Sequence, residues 1–130
     1  MIAKIISSKF LWLAVAGAVG TLSRYGLGGL ANRVFGEGAG WGTLAVNAVG
    51  CFLAGAVWIL AGERGHLSPE MRAVILVGFM GAFTTFSAYV LETSEFLHGG
   101  RWIHAGRHLV LQNGCGISAF FAGVFAGRIF

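Results

Sequence analysis

The sequence predicts an all-α membrane protein built from four transmembrane helices. Of its 130 residues, 56% are hydrophobic and 11% are charged, which is more apolar surface than a soluble domain of this size can bury. Three long stretches, 38–62, 73–91 and 108–127, contain no Asp, Glu, Lys or Arg. Each has about the length that crosses a bilayer core. A fourth apolar run begins at Phe10 and contains Arg24.

These runs use almost the whole chain, so residues 1–130 are predicted to form a single membrane domain. The predicted spans cover about 10–32, 40–62, 71–92 and 106–127. No small-residue cleavage pattern follows the run that begins at Phe10, which indicates a retained span rather than a signal peptide.

The first and fourth spans are rich in small residues. The first contains "GAVG" (17–20) and "GLGG" (26–29), and the fourth ends in "GVFAG" (123–127), a GxxxG pattern. Small residues let helices approach closely in lipid, so these motifs indicate packed helices and little more. Because four helices enclose little space, a conduction path would need a second subunit.

The second span carries Asn47, with Thr43 four residues earlier on the same helical face. A polar side chain at membrane depth is a functional candidate because its burial is unfavourable. The amide offers two donors and an acceptor. It either lines a path or bonds to a neighbouring helix, and the second role is the commoner one for a lone Asn.

The third span contains "GFMGAFTTFSAYVLE" (78–92), an unusual composition for a helix in lipid. Gly78 and Gly81 weaken the helix, and the hydroxyls of Thr84 and Thr85 can bond to freed carbonyls. We therefore predict that the third helix is broken near mid-membrane, where non-helical backbone survives only if protein or a cavity covers it. The alternative is ordinary packing with a glycine kink.

Aromatic rings follow this stretch at helical spacing. Phe83 and Phe86, and then Phe86 and Tyr89, are three residues apart, so their rings lie along one face. A ring edge is electropositive and can meet an anion. Ser87 adds a hydroxyl between the rings.

In the fourth span, His108 and Gln112 are four residues apart on one face, and Asn113 is adjacent. These side chains either line a path or bond helices together. Cys51 and Cys115 both fall inside predicted spans, which indicates small packing residues rather than a disulfide or metal framework.

The basic residues do not select one orientation in the membrane. Four spans place the N-terminus, the second connection and the C-terminus on the same side. That side holds Lys4, Lys9, Arg64, Arg72 and Arg128, and the other holds Arg24, Arg33, Arg101 and Arg107. A five-to-four division leaves two interpretations open: one orientation is weakly preferred, or both insert and pair as an antiparallel dimer.

The sequence pI near 9.7 does not indicate a nucleic-acid partner. The basic residues lie in short connections, where lipid headgroups and topology account for them.

Three segments resemble the signature segments of the CrcB/Fluc fluoride channels: "GAVGTLSRY" (17–25), "GTLAVNAVGCFLAG" (42–55) and "GFMGAFTTFSAYVLE" (78–92). The resemblance covers about three of the four spans, and the fourth is diverged. It implies an antiparallel, dual-topology homodimer with two fluoride pores, in a bacterial plasma (inner) membrane. The implied function is passive export of toxic cytoplasmic fluoride, so no enzymatic activity is expected.

The resemblance also assigns roles to individual residues. It implies a structural sodium ion at the dimer centre, not transported, held by the main-chain carbonyls of Gly81 and Thr84. The implied pore residues are Arg24, Thr43, Asn47, Phe86 and Tyr89.

Two positions depart from the family pattern. Tyr89 stands where the second pore ring is usually Phe. The polar positions of the fourth span fall on His108 and Gln112 without a gap, or on Asn113 with a shift of one residue.

Fluoride is the most strongly hydrated halide, so a pore must replace its water with close donors. The Asn47 amide, the hydroxyls of Thr85 and Ser87, and ring edges can do this without a full opposite charge. Conduction needs sites weak enough to release the ion.

Two other functions fit the length and span count. A small four-span multidrug or cation exporter needs an acidic residue in its first span, but the first acidic residue here is Glu37, outside that span. A haem-anchoring or assembly subunit would use His98, His104 and His108, which the sequence places near one membrane edge.

Overall fold

The computed structural model describes residues 2–63 and 65–129, with side chains from Ser8 onward. Arg64, which belongs to the charge count above, lies outside the described residues, as does the side chain of Lys4. Every regular element in the described part of the chain is helical. The elements are α1 (Ile2–Phe35), α2 (Trp41–Gly62), α3 (Pro69–Ala73), a π-helical segment (Val74–Met80), α4 (Gly81–Phe83), α5 (Phe86–His98) and α6 (Trp102–Ile129).

Four helical stretches are long and apolar enough to cross a membrane: Ser8–Phe35, Trp41–Gly62, Pro69–His98 and Trp102–Ile129. The helices continue past the hydrophobic stretches in the sequence and include charged residues near their ends, such as Arg33 in α1 and Arg128 in α6. Many large apolar side chains point outward, including Trp12, Leu22, Val77, Ile103 and Phe125. Such a surface is typical of helices that face lipid.

Glycines allow two of the connections between helices. Gly40, which precedes α2, has φ 76°, a left-handed conformation that L side chains rarely adopt. A Cβ atom at Gly40 would also meet the imidazole of His108. The α5–α6 connection turns at Gly100, with φ 70°.

The third membrane stretch is assembled from four short elements. Ser68 caps α3 by accepting a hydrogen bond from the Met71 N–H at 3.2 Å, and Pro69 occupies the first helical turn. The chain then passes through the π-helical segment and α4, which ends at Phe83. Thr84 and Thr85 have extended backbone, with φ/ψ of −82°/158° and −148°/113°, before α5 begins.

Of the glycines and threonines that the sequence singled out, Gly78 and Gly81 keep helical backbone, and the extended residues are the two threonines. Gly78 instead lies within the π-helical segment, where an added Cβ would press on Ala16 and on the Leu13 carbonyl of α1. Gly20 of α1 is packed still more closely, since an added Cβ would lie 2.5 Å from the Phe79 carbonyl oxygen. These glycines allow α1 to approach the third stretch, as small residues do in lipid.

Helix α2 packs against α6 through reciprocal glycine contacts. A Cβ on Gly55 would collide with the Phe120 carbonyl, and one on Gly123 would collide with the Phe52 carbonyl. The GxxxG pattern of α6 thus faces a helix of the same chain. An ion pair between Arg128 and Glu63, 3.2 Å apart at an exposed position, joins the same two helices near their ends.

We expect Gly123→Val to destabilise the protein, because its side chain has no space against the α2 backbone. Overpacking of this kind typically lowers stability by about 1–3 kcal/mol. The matched control is Gly114→Val on the same helix, where an added Cβ meets nothing within 4 Å. Thermal unfolding in detergent should separate the two variants, and equal unfolding temperatures would contradict this packing.

Candidate functional site

Asn47 satisfies the backbone at the helix interruption. Its Oδ1 accepts a hydrogen bond from the Thr85 N–H at 2.8 Å, and its Nδ2 donates to the Thr85 carbonyl at 3.1 Å. Backbone polar groups in a membrane interior need such partners. The amide of α2 therefore replaces the helical hydrogen bonds that extended Thr85 cannot make.

The same interruption changes the partners of two carbonyls. The N–H of Thr85, which would close a helical turn onto Gly81, bonds to Asn47 instead. The N–H of Ala88, which would bond to the Thr84 carbonyl, donates to Thr85 Oγ1 at 3.1 Å. The helix pattern thus leaves the carbonyls of Gly81 and Thr84 without their usual donors.

The two threonine hydroxyls differ in role. Thr84 Oγ1 donates to the Met80 carbonyl at 2.8 Å, which also accepts the Thr84 N–H at 2.9 Å and is therefore not one of the freed carbonyls that the sequence analysis expected it to bond. Thr85 Oγ1 instead caps α5 through the Ala88 N–H and pairs with Ser87 Oγ at 3.2 Å. A cap of this kind stabilises a helix start by about 1 kcal/mol.

A chain of polar side chains runs from Asn47 into α6. Asn47 Nδ2 donates to Gln112 Oε1 at 3.2 Å, and Gln112 Nε2 lies 3.2 Å from His108 Nε2. His108 is 4% exposed and Gln112 is also buried. Both N–H groups of the Asn47 amide are therefore bonded within the protein.

Glu92 on α5 lies against this chain and was not among the residues singled out from the sequence. Thr43 Oγ1 donates to Glu92 Oε1 at 2.5 Å, and Glu92 Oε2 lies 3.2 Å from His108 Nε2. The sequence did contain a signal. Residues 99–101 connect α5 to α6. Glu92 lies seven residues before the first residue of this connection, and His108 lies seven residues after the last. An antiparallel pair of helices therefore brings the two side chains together.

A first cavity of about 330 Å³ opens beside the interruption. The candidate site residues that line it are Asn47, Thr84, Thr85, Phe86, Tyr89, Gln112 and Asn113. The rings of Phe86 and Tyr89 meet edge to face with centroids 5.5 Å apart. Asn113 Nδ2 donates to the Tyr89 hydroxyl at 3.1 Å. None of the described residues that line this cavity carries a charge.

A second cavity, of about 580 Å³, lies on the other side of Thr85. Its lining includes Arg24, Thr43, Ser87 and Asn32. Asn32 of α1 accepts a hydrogen bond from the Gly42 N–H at 2.8 Å, which satisfies a donor in the first turn of α2. Sequence reasoning missed Asn32, since nothing in its local pattern indicates a cap on another helix.

The structure thus divides the predicted site residues between two cavities that share Thr85. Thr43 and Asn47, predicted to lie on one face, line different cavities. His108 lines neither cavity. It contacts Gln112, which lies between it and the first cavity. Gly81 also lines neither cavity.

The donor set at the interruption consists of carbonyl oxygens. Hard cations prefer oxygen ligands, so the carbonyls of Gly81 and Thr84 fit such an ion chemically, although one chain supplies few of them. Within residues 2–63 and 65–129, no cluster of three or more His, Cys, Asp or Glu side chains offers a different metal site.

Residues 11–124 match the family model described as CrcB-like protein, Camphor Resistance (CrcB). The chain belongs to this family. A relative from Nitrosococcus oceani, named fluoride-specific ion channel FluC, is 48% identical over 121 residues, which cover 93% of this chain and 97% of the relative. Relatives of the same name from Desulforapulum autotrophicum and Solidesulfovibrio magneticus are each 47% identical over the same shares.

Membership of the family and the four apolar helices together identify a multi-pass membrane protein. The resemblance of the three sequence segments to the CrcB/Fluc family is thereby confirmed.

Proposed function

We propose that this protein is a fluoride-selective channel that passively exports toxic fluoride from the cytoplasm. The observation that carries the proposal is the first cavity, which is lined by amide, hydroxyl and ring groups and by no charged side chain. It lies in a chain 48% identical to a protein named as a fluoride-specific ion channel. A channel of this kind moves an ion down its gradient and catalyses no reaction.

The lining suits a small, strongly hydrated anion. Fluoride must exchange its water for protein donors, and conduction needs several weak sites rather than one strong one. Gln112, Asn113 and the Tyr89 hydroxyl lie beside Asn47 in the first cavity. In our proposal fluoride competes with Gln112 Oε1 for one N–H of Asn47.

Arg24 supplies a positive charge in the second cavity, separated from the first by Thr85. A basic side chain in a water-accessible recess raises the local concentration of anions. We propose that fluoride passes Arg24, Thr43 and Ser87 before it reaches the donors of the first cavity. The positive charge of Arg24 would then attract fluoride without holding it at the donors of the first cavity.

Phe86 has the exposure expected of a ring that contacts the ion or a second subunit. It is 75% exposed, and its edge-to-face arrangement with Tyr89 leaves ring edges beside the cavity. Positive ring edges favour an anion over a cation. We propose that these two rings form one wall of the path.

A structural sodium ion, bound and not transported, is proposed at the carbonyls of Gly81 and Thr84. The support is chemical: both carbonyls have lost their usual helical donors, and a hard cation prefers oxygen ligands. When bound, the ion would supply positive charge to these two carbonyl oxygens. A second copy of the chain would have to complete the ligand set.

We propose that the active form is an antiparallel, dual-topology homodimer with two pores, in a bacterial plasma (inner) membrane. Each pore would be closed by the partner, because both cavities of a single chain are open on one side. The single domain would cross the bilayer through the predicted spans, with the break in the third helix near mid-membrane, and lipid would cover the remaining apolar surface.

We expect Asn47→Ala to lower fluoride efflux from proteoliposomes severely, on the order of tenfold or more. The substitution removes two donors and leaves the Thr85 backbone groups unbonded, and each unmet group is unfavourable by about 1–3 kcal/mol. Cys115→Ala on α6, which lines neither cavity, is the control. Chloride efflux measured in parallel tests selectivity. Wild-type efflux in Asn47→Ala would return Asn47 to a packing role.

We expect Phe86→Ile to stop fluoride efflux while the dimer stays intact, since Ile keeps the bulk and loses the electropositive ring edge. Removal of sodium from the wild-type protein should also stop fluoride, without sodium itself carrying current. Efflux electrodes and size-exclusion chromatography measure both effects. Full efflux through Phe86→Ile, or indifference to sodium, would refute the respective role.

We expect tags at either terminus to be labelled from both sides of the membrane. The reason is the five-to-four division of basic residues, which gives neither orientation an advantage. Labelling of every copy from one side only would exclude the antiparallel dimer, while a single-topology channel would remain testable by fluoride efflux.

A further inference from the structure

His108 Nε2 faces two partners that require opposite states of the same nitrogen. Glu92 Oε2 lies at 3.2 Å and can only accept a hydrogen bond when ionised. Gln112 Nε2 lies at the same distance and can only donate one. If Nε2 carries a hydrogen, it can donate to Glu92 Oε2. If Nε2 has a free lone pair, it can accept from Gln112 Nε2. In keeping with this conflict, Glu92 Oε2 is a buried oxygen without a hydrogen-bond partner.

The other ring nitrogen indicates which state the neutral imidazole adopts. Thr93 Oγ1 donates to the Tyr89 carbonyl at 2.8 Å and lies 3.0 Å from His108 Nδ1. Because the single hydroxyl hydrogen is used at the carbonyl, this arrangement requires a hydrogen on Nδ1. In neutral His108, Nε2 is then the acceptor for Gln112, and only the protonated ring can donate to Glu92.

Protonation of His108 changes the number of donors that face the first cavity. If Nε2–H donates to Glu92, the Gln112 N–H loses its acceptor. If the Gln112 amide instead turns its oxygen to Nε2–H, Asn47 loses the acceptor of one N–H. Either arrangement releases at least one amide N–H beside a cavity that both residues line.

We infer that His108 is a positioning residue: its protonation sets the amide of Gln112, and through it the donors that Gln112 and Asn47 offer to the permeating anion. The inference rests on the proposed fluoride path. It predicts that acid increases fluoride flux, because an anion path gains a donor.

The groups around His108 support this assignment. From α5 the imidazole meets Glu92, Thr93 and the rings of Tyr89 and Phe96, whose centroids lie at 5.5 and 5.3 Å. At Gly40, which precedes α2, the imidazole occupies the space that a Cβ atom would need. On its own helix the titratable or charged neighbours are His104 and Arg107. Glu92 is thus the anion in direct contact with the ring.

The test compares fluoride efflux from proteoliposomes at about pH 5 and about pH 8, a range that includes ordinary histidine titration and extends to its acid side. Protein-free liposomes at each pH correct for leakage of the neutral acid. We expect wild-type efflux to be about two- to tenfold faster at the lower pH, the range that one hydrogen bond supports. His108→Gln should remove this difference.

His104→Gln is the matched control. It makes the same substitution one turn earlier on α6, at an exposed ring that also contacts Phe96, and it should keep the wild-type pH response. Glu92→Gln removes the anion that the protonated ring faces and should reduce the response. Nitrogen-15 NMR of imidazole-labelled wild type should show hydrogen on Nδ1 of neutral His108, with the signal assigned by its loss in His108→Gln.

The outcomes separate the inference from the proposed function. A wild type that carries no fluoride at either pH overturns the channel proposal, and this inference with it. Fluoride efflux with the same pH response in wild type and His108→Gln overturns the inference alone. If His108→Gln does not fold, an unchanged pH response in Glu92→Gln, or an Nε2–H tautomer in the wild type, overturns it as well.

Discussion

The double hydrogen bond between Asn47 and the Thr85 backbone is the interaction on which the rest of the site depends. A helix interruption exposes polar backbone that lipid cannot satisfy, and here a single amide from another helix accepts from Thr85 N–H and donates to its carbonyl. These two hydrogen bonds fix the position of Asn47 on α2 relative to Thr85 in the third membrane stretch. The two cavities then form on either side of Thr85.

The arrangement also couples parts of the molecule that look independent in the chain. Asn47 bonds to Gln112, Gln112 contacts His108, and His108 contacts Glu92. Thr43 closes this series by donating to Glu92 from α2. These side chains form one continuous network, and hydrogen bonds in such a network polarise one another at low dielectric.

Packing by small residues gives this network a rigid frame. Gly55 and Gly123 bring the backbones of α2 and α6 together, and Gly20 does the same for α1 and the third stretch. Close backbone approach lets polar side chains on neighbouring helices reach one another. Phe86, which lines the first cavity, is 75% exposed.

The sequence by itself determined the four apolar helices, the membrane as solvent and the importance of Asn47, because hydropathy and isolated polar residues are local signals. Only the tertiary structure decided which groups meet. Asn47 and Thr85 are 38 residues apart, and Asn47 and Gln112 are 65 apart. The position of the break was also decided by tertiary contacts. Glycines weaken a helix locally, but the residues with extended backbone are Thr84 and Thr85. At this position, Asn47 of α2 and the Thr85 hydroxyl supply hydrogen bonds that the interrupted helix has lost.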